Sequence, residues 1–490
     1  MWSGGRPARA QGLQERLSPQ VSTFQLRNGL RVVVMERHQA PVVSLITYAQ
    51  VGSVDEPPGQ TGIAHVLEHL AFKGTSRIGT RNASQERALL AELDRIAAQL
   101  GHTPLGAKRS QLEQHRQDLQ AAAGRLVEDN AFSQILRQAG AVGLNATTSA
   151  DATRYVVSLP AHKLELWFSL ESERFLDPVF RQLEPELEVI REEQRLRVEN
   201  NPSGRLVEAF LETALPDSPY GRPVIGYPQD FMALDRGQIR QFFQNHYGPG
   251  NLVVAIVGDV NPQQVRRLAE VYFGRYRPRP MAATAPPRLS SQTAPRRVVI
   301  CAPAQPQVLI GYPRPAATDP DEPVYQVISG LLTSSRTSRL YRQLVVEQGL
   351  ALGVNTSSSF PGERYPNLFV LSGRPAGGHS PEELVAAIEA ELARLRQEPV
   401  RPAELAKVKR QAQVSVLSTL NDNTTLASLL AESTALTGTW QTLINQVSAL
   451  EAVTPADVQR VAQALFRPEA QTVAILATDP FGTGYSPTSP

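Results

Sequence analysis

Cysteine is nearly absent: Cys301 stands alone among 490 residues. One cysteine closes no internal disulfide and builds no thiolate metal cage, so any metal must be held by His, Asp or Glu. Histidine is also scarce, with eight in the whole chain. No apolar run approaches the roughly 18 residues that a membrane span requires. Charge imbalance is missing too, since 49 Lys and Arg face 47 Asp and Glu for a net charge of +2. With the basic residues spread along the chain, neither nucleic acid nor an anionic membrane is an expected partner. The first ten residues contain no apolar core of a signal peptide. Ala8-Arg9-Ala10 has the small-residue form of a signal-peptidase site, which reads either as coincidence or as the end of a signal whose upstream part is missing from this sequence. A soluble protein of the cytoplasm or periplasm is expected.

What is present is ordinary for a globular protein: 41% hydrophobic and 20% charged residues. The length suggests two to four domains. Residues 1–20 read as a flexible lead-in and 481–490 as a flexible tail. Phe24 to Met35 reads as a hairpin turning at Asn28-Gly29. Val42 to Tyr48 follows as an apolar strand, and Val66 to Phe72 as a short buried helix. Residues 81–126 differ, alternating charge and glutamine with Leu and Ala at helical spacing on both sides of Gly101 to Gly106. They read as an exposed helical hairpin whose removal should spare the rest. Leu144 to Leu159 returns to strand. Helices are expected over 164–175, 184–199 and 238–247, and a strand over 252–257. Prolines at 278, 280, 286, 287 and 295 mark a linker over 277–295.

The two sides of that linker resemble each other. Val43-Ser44-Leu45, Tyr48 and Asp55-Glu56-Pro57 are echoed by Val308-Leu309-Ile310, Tyr312 and Asp321-Glu322-Pro323. Ile239 to Asp259 runs helix, strand, Asp, and Val458 to Asp479 repeats it. Such long spacing means a duplicated domain, and the mixture of hairpins and helices means α+β. Domains over 21–276 and 296–480 are expected.

His65-Val66-Leu67-Glu68-His69 carries the chemistry. Residues four apart share a helix face, so His65 and His69 can reach one ion, and neutral imidazoles suit zinc. Glu68 is near that face and can deprotonate a water. A lone His on an apolar helix is ordinarily a satisfied core residue, but three polar groups in one apolar helix need a reason. A catalytic zinc takes a third protein ligand. Glu186 and Glu193, two turns apart on the acidic helix, are candidates; Glu184, Glu188 and Glu199 read as its solvated face.

Gly62 to Thr75 (GIAHVLEHLAFKGT), Gly143 to Tyr155 (GLNATTSADATRY) and Glu186 to Glu193 (ELEVIREE) together resemble the inverzincin peptidases of the pitrilysin and insulinase type. Among these, the chain is most similar to bacterial two-domain subunits of the mitochondrial-processing-peptidase kind. The resemblance implies two homologous α/β-sandwich domains of the LuxS/processing-peptidase type, the first bearing one zinc. It implies His65, His69 and Glu193 as zinc ligands, Glu68 as general base and Glu186 as a supporting acidic residue. Asn145 and Ala146 match the edge strand on which peptide is laid by β-addition. There are departures from the pattern. Glu193 follows His69 by 124 positions, more than usual, which the 81–126 insertion explains. Leu187 stands where an Arg is usual, and Thr147 where an aromatic is common.

The second half has no HxxEH, so at most one zinc per chain is expected. Leu331 to Val354 resembles the family's C-terminal signature, in which an Arg and, seven residues on, a Tyr grip the substrate. In register, this chain offers Val345 and Leu352. Tyr341-Arg342 and Arg364-Tyr365 are out of register and read as surface residues, the alternative being a shifted functional pair. The expectation is a zinc endopeptidase subunit cleaving peptides or unfolded polypeptide, working with a related subunit that supplies the Arg–Tyr pair. The rivals are a non-catalytic partner subunit of the same fold and a zinc hydrolase acting on non-peptides. The intact His-Glu-His set argues against the first, the Asn145 strand against the second.

Overall fold

The computed structural model describes residues 20–279, 287, 292–419 and 421–478. Ala8-Arg9-Ala10, nearly all of the expected lead-in, the expected tail and much of the expected linker lie outside them. Six strands make the first sheet: β1 Val21–Gln25, β2 Arg31–Glu36, β3 Val42–Ala49, β4 Val142–Thr148, β5 Thr153–Pro160 and β6 Leu252–Gly258. Five make the second: β7 Arg296–Ala302, β8 Gln307–Arg314, β9 Ala351–Phe360, β10 Asn367–Pro375 and β11 Thr472–Thr478. The orders are β1-β2-β6-β3-β5-β4 and β7-β11-β8-β10-β9. Without β1 the two orders superpose strand for strand. Both have one parallel pair, β2 with β6 and β7 with β11, and are otherwise antiparallel. The chain thus folds as two homologous α+β units.

The first half carries helices α1 Ile63–Leu70, α2 Ala83–His102, α3 Ala107–Gly124, α4 Ala131–Gln138, α5 Leu164–Leu176, α6 Leu183–Gln194, α7 Pro202–Ala214, α8 Arg236–His246 and α9 Pro262–Tyr272. The second carries α10 Glu322–Thr333, α11 Pro381–Gln397, α12 Pro402–Thr419, α13 Asn423–Thr437, α14 Thr442–Ala452 and α15 Pro455–Leu465. None of these is long and apolar enough to cross a membrane. The region expected as strand over 144–159 is a pair, β4 and β5, folded back at a turn over 149–152. The helix expected over 184–199 ends at Gln194, and Arg195–Glu199 widens into a π-helical turn, a feature often met beside functional sites.

Alternation puts apolar side chains on both faces of each central strand, so each sheet needs two covers. On one face of the first sheet, Val34, Leu45, Val157 and Val254 pack under α1, α5 and α8. The other face presents Val33, Met35, Ile46, Tyr48, Val253 and Ala255, and its cover comes from the second half: Leu426, Ala427, Leu430 and Ala431 of α13. The second sheet is treated likewise. Val308, Ile310, Phe369 and Ile475 face α10, α11 and α15. Leu309, Leu368, Val370 and Leu476 face Leu206, Phe210 and Leu211 of α7, from the first half. The halves therefore exchange helices. Polar contacts fix the exchange: Arg154 pairs with Glu432 at 2.5 Å, and Arg296 donates to the terminal carbonyls of Thr213 and Ala214 at 3.0 and 3.2 Å.

The helical hairpin expected over 81–126 is present as α2 and α3, but its base belongs to the core. Leu93 and Ile96 are buried, and so is Glu86. Arg181, 1% exposed, grips Glu86 with Nε and Nη2 at 2.7 and 3.0 Å. It also donates to the carbonyls of Thr75 (2.7 Å), Ile78 (3.0 Å) and Lys73. The expectation that the whole hairpin can be removed is thereby corrected, since excision would leave a buried guanidinium short of its carboxylate. Arg181→Ala strands Glu86 instead. It is expected to cost about 3–5 kcal/mol, read as a lowered denaturation midpoint.

Glu363 lies in the turn between β9 and β10. The residue as a whole is exposed, but its carboxyl lies toward Glu432, Glu322 and Asp151, and desolvation of that group, reinforced by those charges, pushes its pKa up to about 7. The folded chain then keeps a proton that the unfolded chain has released, so stability falls as pH rises from 4.5 to about 7. Glu363→Gln is expected to flatten that slope and to raise the denaturation midpoint at pH 8.

Candidate metal centre

Helix α1 has only two turns and begins at Gly62, whose φ of +89° suits glycine alone. Glycine offers no capping side chain, so Glu56 does the work: its Oε2 accepts from the Gly62 amide at 2.9 Å and its Oε1 from the Ala64 amide at 3.0 Å. Ile63, Val66, Leu67 and Leu70 seat the helix in the core. That leaves His65 and His69 facing α6 and Glu68 turned to Thr148 of β4.

His65 is 6% exposed, and burial, helped by the charges of His69 and Arg197, pushes its pKa down to about 3. The ring is therefore neutral, the form in which imidazole binds a metal. His65 and His69 meet edge to face, with centroids 4.8 Å apart. From α6, Glu193 Oε2 lies 3.6 Å from His65 Nε2 and 3.5 Å from His69 Nε2. All three acceptor atoms lie within 4.8 Å of one another. A tetrahedral zinc with arms of about 2.1 Å has ligand-to-ligand edges of about 3.4 Å, which the two distances from Glu193 match closely. No other such group of His, Cys, Asp or Glu occurs among the described residues.

Around this triad stand residues that orient it. Glu186, one face earlier on α6, accepts from His69 Nδ1 at 3.2 Å and pairs with Lys73. Burial opposes its ionisation, but the bonds from His69 and Lys73 outweigh burial and hold its pKa below the usual carboxylate value. Arg197, in the π-helical turn, pairs with the other oxygen of Glu193 at 2.7 Å. Glu68 is near but separate, receiving Thr148 Oγ1 at 2.5 Å. Burial raises its pKa, against the pull of the Thr148 bond.

Asn145 and Ala146 lie on β4, which closes one edge of the first sheet and pairs only with β5 among the described residues. Ala146 points into the core and Asn145 outward. Thr148, two residues on from Ala146, points inward at Glu68. Strand alternation from Ala146 could have found it, as could the reach of Lys73 within GIAHVLEHLAFKGT. Leu187, in place of the usual Arg, is simply core.

In the second half, the position of the metal helix is taken by α10. Hydroxyls fill the corresponding interior: Ser329 and Thr333 meet Thr356 at 2.8 and 2.6 Å. Val345 is half-buried against the second core, and Leu352 is 58% exposed on β9. Tyr341 packs on that core too, while Arg342 pairs with Glu347 at 3.3 Å. Arg364 and Tyr365 are not the surface residues expected. Arg364 binds Asp55 of the first half, and Tyr365 is buried.

Comparison with known proteins agrees with this architecture. Residues 31–103 match the family description "Insulinase (Peptidase family M16)", and residues 233–412 match "Peptidase M16 inactive domain". The chain is 27% identical over 421 residues to the zinc protease PqqE of Helicobacter pylori, covering 84% of this chain and 83% of that one. A solved protease from Helicobacter pylori superposes with a TM-score of 0.77 at 26% identity, covering 93% and 99% of the two chains. The periplasmic protease PqqL from Escherichia coli shares the fold, with a TM-score of 0.71 at 19% identity, over 94% of this chain but 48% of its own. With both halves matched and the fold shared along nearly its whole length, the chain belongs to the insulinase family of peptidases, family M16.

Proposed function

We propose that this chain is a zinc-dependent endopeptidase subunit acting on peptides or unfolded polypeptide. The observation that carries the reading is the convergence of His65 Nε2, His69 Nε2 and Glu193 Oε2 beside a separate half-buried carboxylate, Glu68. The three would hold one zinc, with Glu186 and Arg197 as the partners that orient His69 and Glu193. Zinc bound there would polarise a peptide carbonyl and acidify water. Glu68, with its raised pKa, is suited to take a proton from water and pass it to the leaving amine. The free edge of β4 would hold extended peptide through backbone hydrogen bonds, with Asn145 and Ala146 beside the cleavage point. A non-catalytic subunit of the same fold has no need of four such groups in one helix–helix cleft.

Zinc content separates ligands from base. About one zinc per chain is expected by metal analysis, falling to background in His65→Ala with His69→Ala. Glu193→Gln is expected to weaken zinc, because a charged ligand becomes neutral. Glu68→Gln is expected to keep zinc and lose about 10²–10⁴ in turnover. Near wild-type cleavage by that variant would remove Glu68 from the mechanism.

The partner follows from what the second half lacks. Val345 and Leu352 can donate no hydrogen bond to a developing oxyanion, and one such donor is worth about 10²–10³ in rate. This chain matches about half of the Escherichia coli PqqL chain, so a chain of that length has room for a second unit of this size. Here a separate, related subunit carrying an Arg–Tyr pair would face the metal centre. The purified chain alone is therefore expected to cleave unstructured peptides weakly or not at all, and addition of such a subunit to restore turnover. Robust turnover by the chain alone, unaffected by substituting Val345 and Leu352, would exclude that arrangement.

A further inference from the structure

The second half has no HxxEH, yet one of its turns reaches Asp55, in the segment that leads into the helix bearing His65 and His69. We infer that the turn Gly362 to Tyr365, between β9 and β10, is a positioning element for the catalytic groups of the first half, acting through Arg364 on Asp55 and Glu56. The inference rests on the proposed function for its meaning in catalysis, but its physical content is independent of it.

The links can be followed bond by bond. Helix α1 is too short to persist unaided, since helices below about 12 residues are marginal without tertiary support. Its cap, Glu56, is 4% exposed and has no other backbone amides to serve than those of Gly62 and Ala64 in the bonds described. Asp55 is the preceding residue. Arg364 Nη1 lies 3.0 Å from both Asp55 carboxylate oxygens, and the Gly52 amide donates to Oδ2 at 3.1 Å. Holding Asp55 therefore fixes the approach of Glu56, whose own carbonyl accepts from Arg222 at 3.1 Å.

The same turn holds the other side of the site. The amides of Glu363 and Arg364 donate to Asp151 Oδ2 at 2.5 and 3.1 Å. Tyr220 donates its hydroxyl to Asp151 Oδ1 and accepts the Tyr365 amide at 3.2 Å. Asp151 sits in the turn that joins β4 to β5, three residues beyond Thr148, the partner of Glu68. Two backbone bonds lace the segments together: Ser53 to the Ser149 carbonyl at 3.2 Å and Val54 to the Ala150 carbonyl at 2.9 Å. Close packing leaves no slack, for a Cβ at Gly362 would lie 2.6 Å from Asp151 Oδ2 and 2.7 Å from the Tyr220 hydroxyl. One turn of the second half thus seats both the start of the metal helix and the end of the substrate strand. Arg364 touches neither metal ligand nor substrate strand, so it is a positioning residue and not a catalytic one.

The test compares the full wild-type chain with Arg364→Ala and Arg364→Lys, using hydrogen exchange on metal-free protein and chelator competition for zinc. In Arg364→Ala, amides of residues 62–70 and 149–152 are expected to exchange about 10-fold faster or more, while those of α13 and the second sheet are unchanged. Zinc affinity is expected to fall by up to about 10-fold, less than the 10- to 100-fold for losing a direct partner of a ligand, because Arg364 acts at one remove. Arg364→Lys, which keeps a charge opposite Asp55, is expected to recover part of both effects. Unchanged exchange in α1, or acceleration spread evenly over both sheets, would overturn the inference. A wild-type chain that takes up no zinc would count against the proposed function alone, since exchange in the metal-free protein still decides this one.

Discussion

Two sheets with apolar side chains on both faces impose the condition on which everything else depends. Each sheet finds one cover among its own helices and must borrow the other. The first sheet borrows α13 and the second borrows α7, so neither half is complete alone. Hydrophobic burial at about 25 cal/mol per Å² makes these borrowed covers a large share of the driving force. The exchange also brings the turn after β9 against Asp55 and Asp151. A half that adds no residue to the candidate metal centre in this way bonds the segments on either side of it.

The centre itself is a balance of burial against pairing. Three polar side chains on one apolar two-turn helix would each be costly if left alone. His65 escapes the cost by staying neutral, and His69 by leaning on Glu186. Glu193 is tied to Arg197, and Glu68 to Thr148. Glu68 thus differs in kind from its neighbours. Its partner is a neutral hydroxyl and not a cation, so burial prevails and its proton affinity rises. The same cleft holds carboxylates pushed in opposite directions, Glu186 down and Glu68 up, which is how one site can contain both a fixed anion and a proton acceptor.

Much of this was legible from sequence because it is local. His65 and His69 are one helical turn apart, and Asp55-Glu56 and Asp321-Glu322 recur at matched places in the two halves. The duplication read from such short echoes appears in full as two matching strand orders. What could not be read was long-range. The segment NTTLASLLAESTALT of α13 has no marked amphipathic stripe, and nothing in it names a sheet some 380 residues away as its seat. Arg181 and Glu86, separated by 95 positions, look like surface charges until the chain folds them together. Arg364-Tyr365 looked exposed for the same reason. Thr148 was within reach of simple strand alternation, but the eye rests on Asn145-Ala146.

The helix exchange also sets an order of events during synthesis. At about 5–20 residues per second, the ribosome finishes the first sheet well before it makes α13. During that interval Val33, Met35, Ile46, Tyr48 and Val253 form a completed but uncovered apolar face. The helix α7 waits in the same way, with Leu206 and Phe210 turned toward a sheet not yet made. The nascent first half therefore keeps an apolar face without its cover until that helix is made. A stop codon between residues 259 and 422 leaves a fragment with a complete first sheet and the His65, His69 and Glu193 group but no helix to cover the sheet's back.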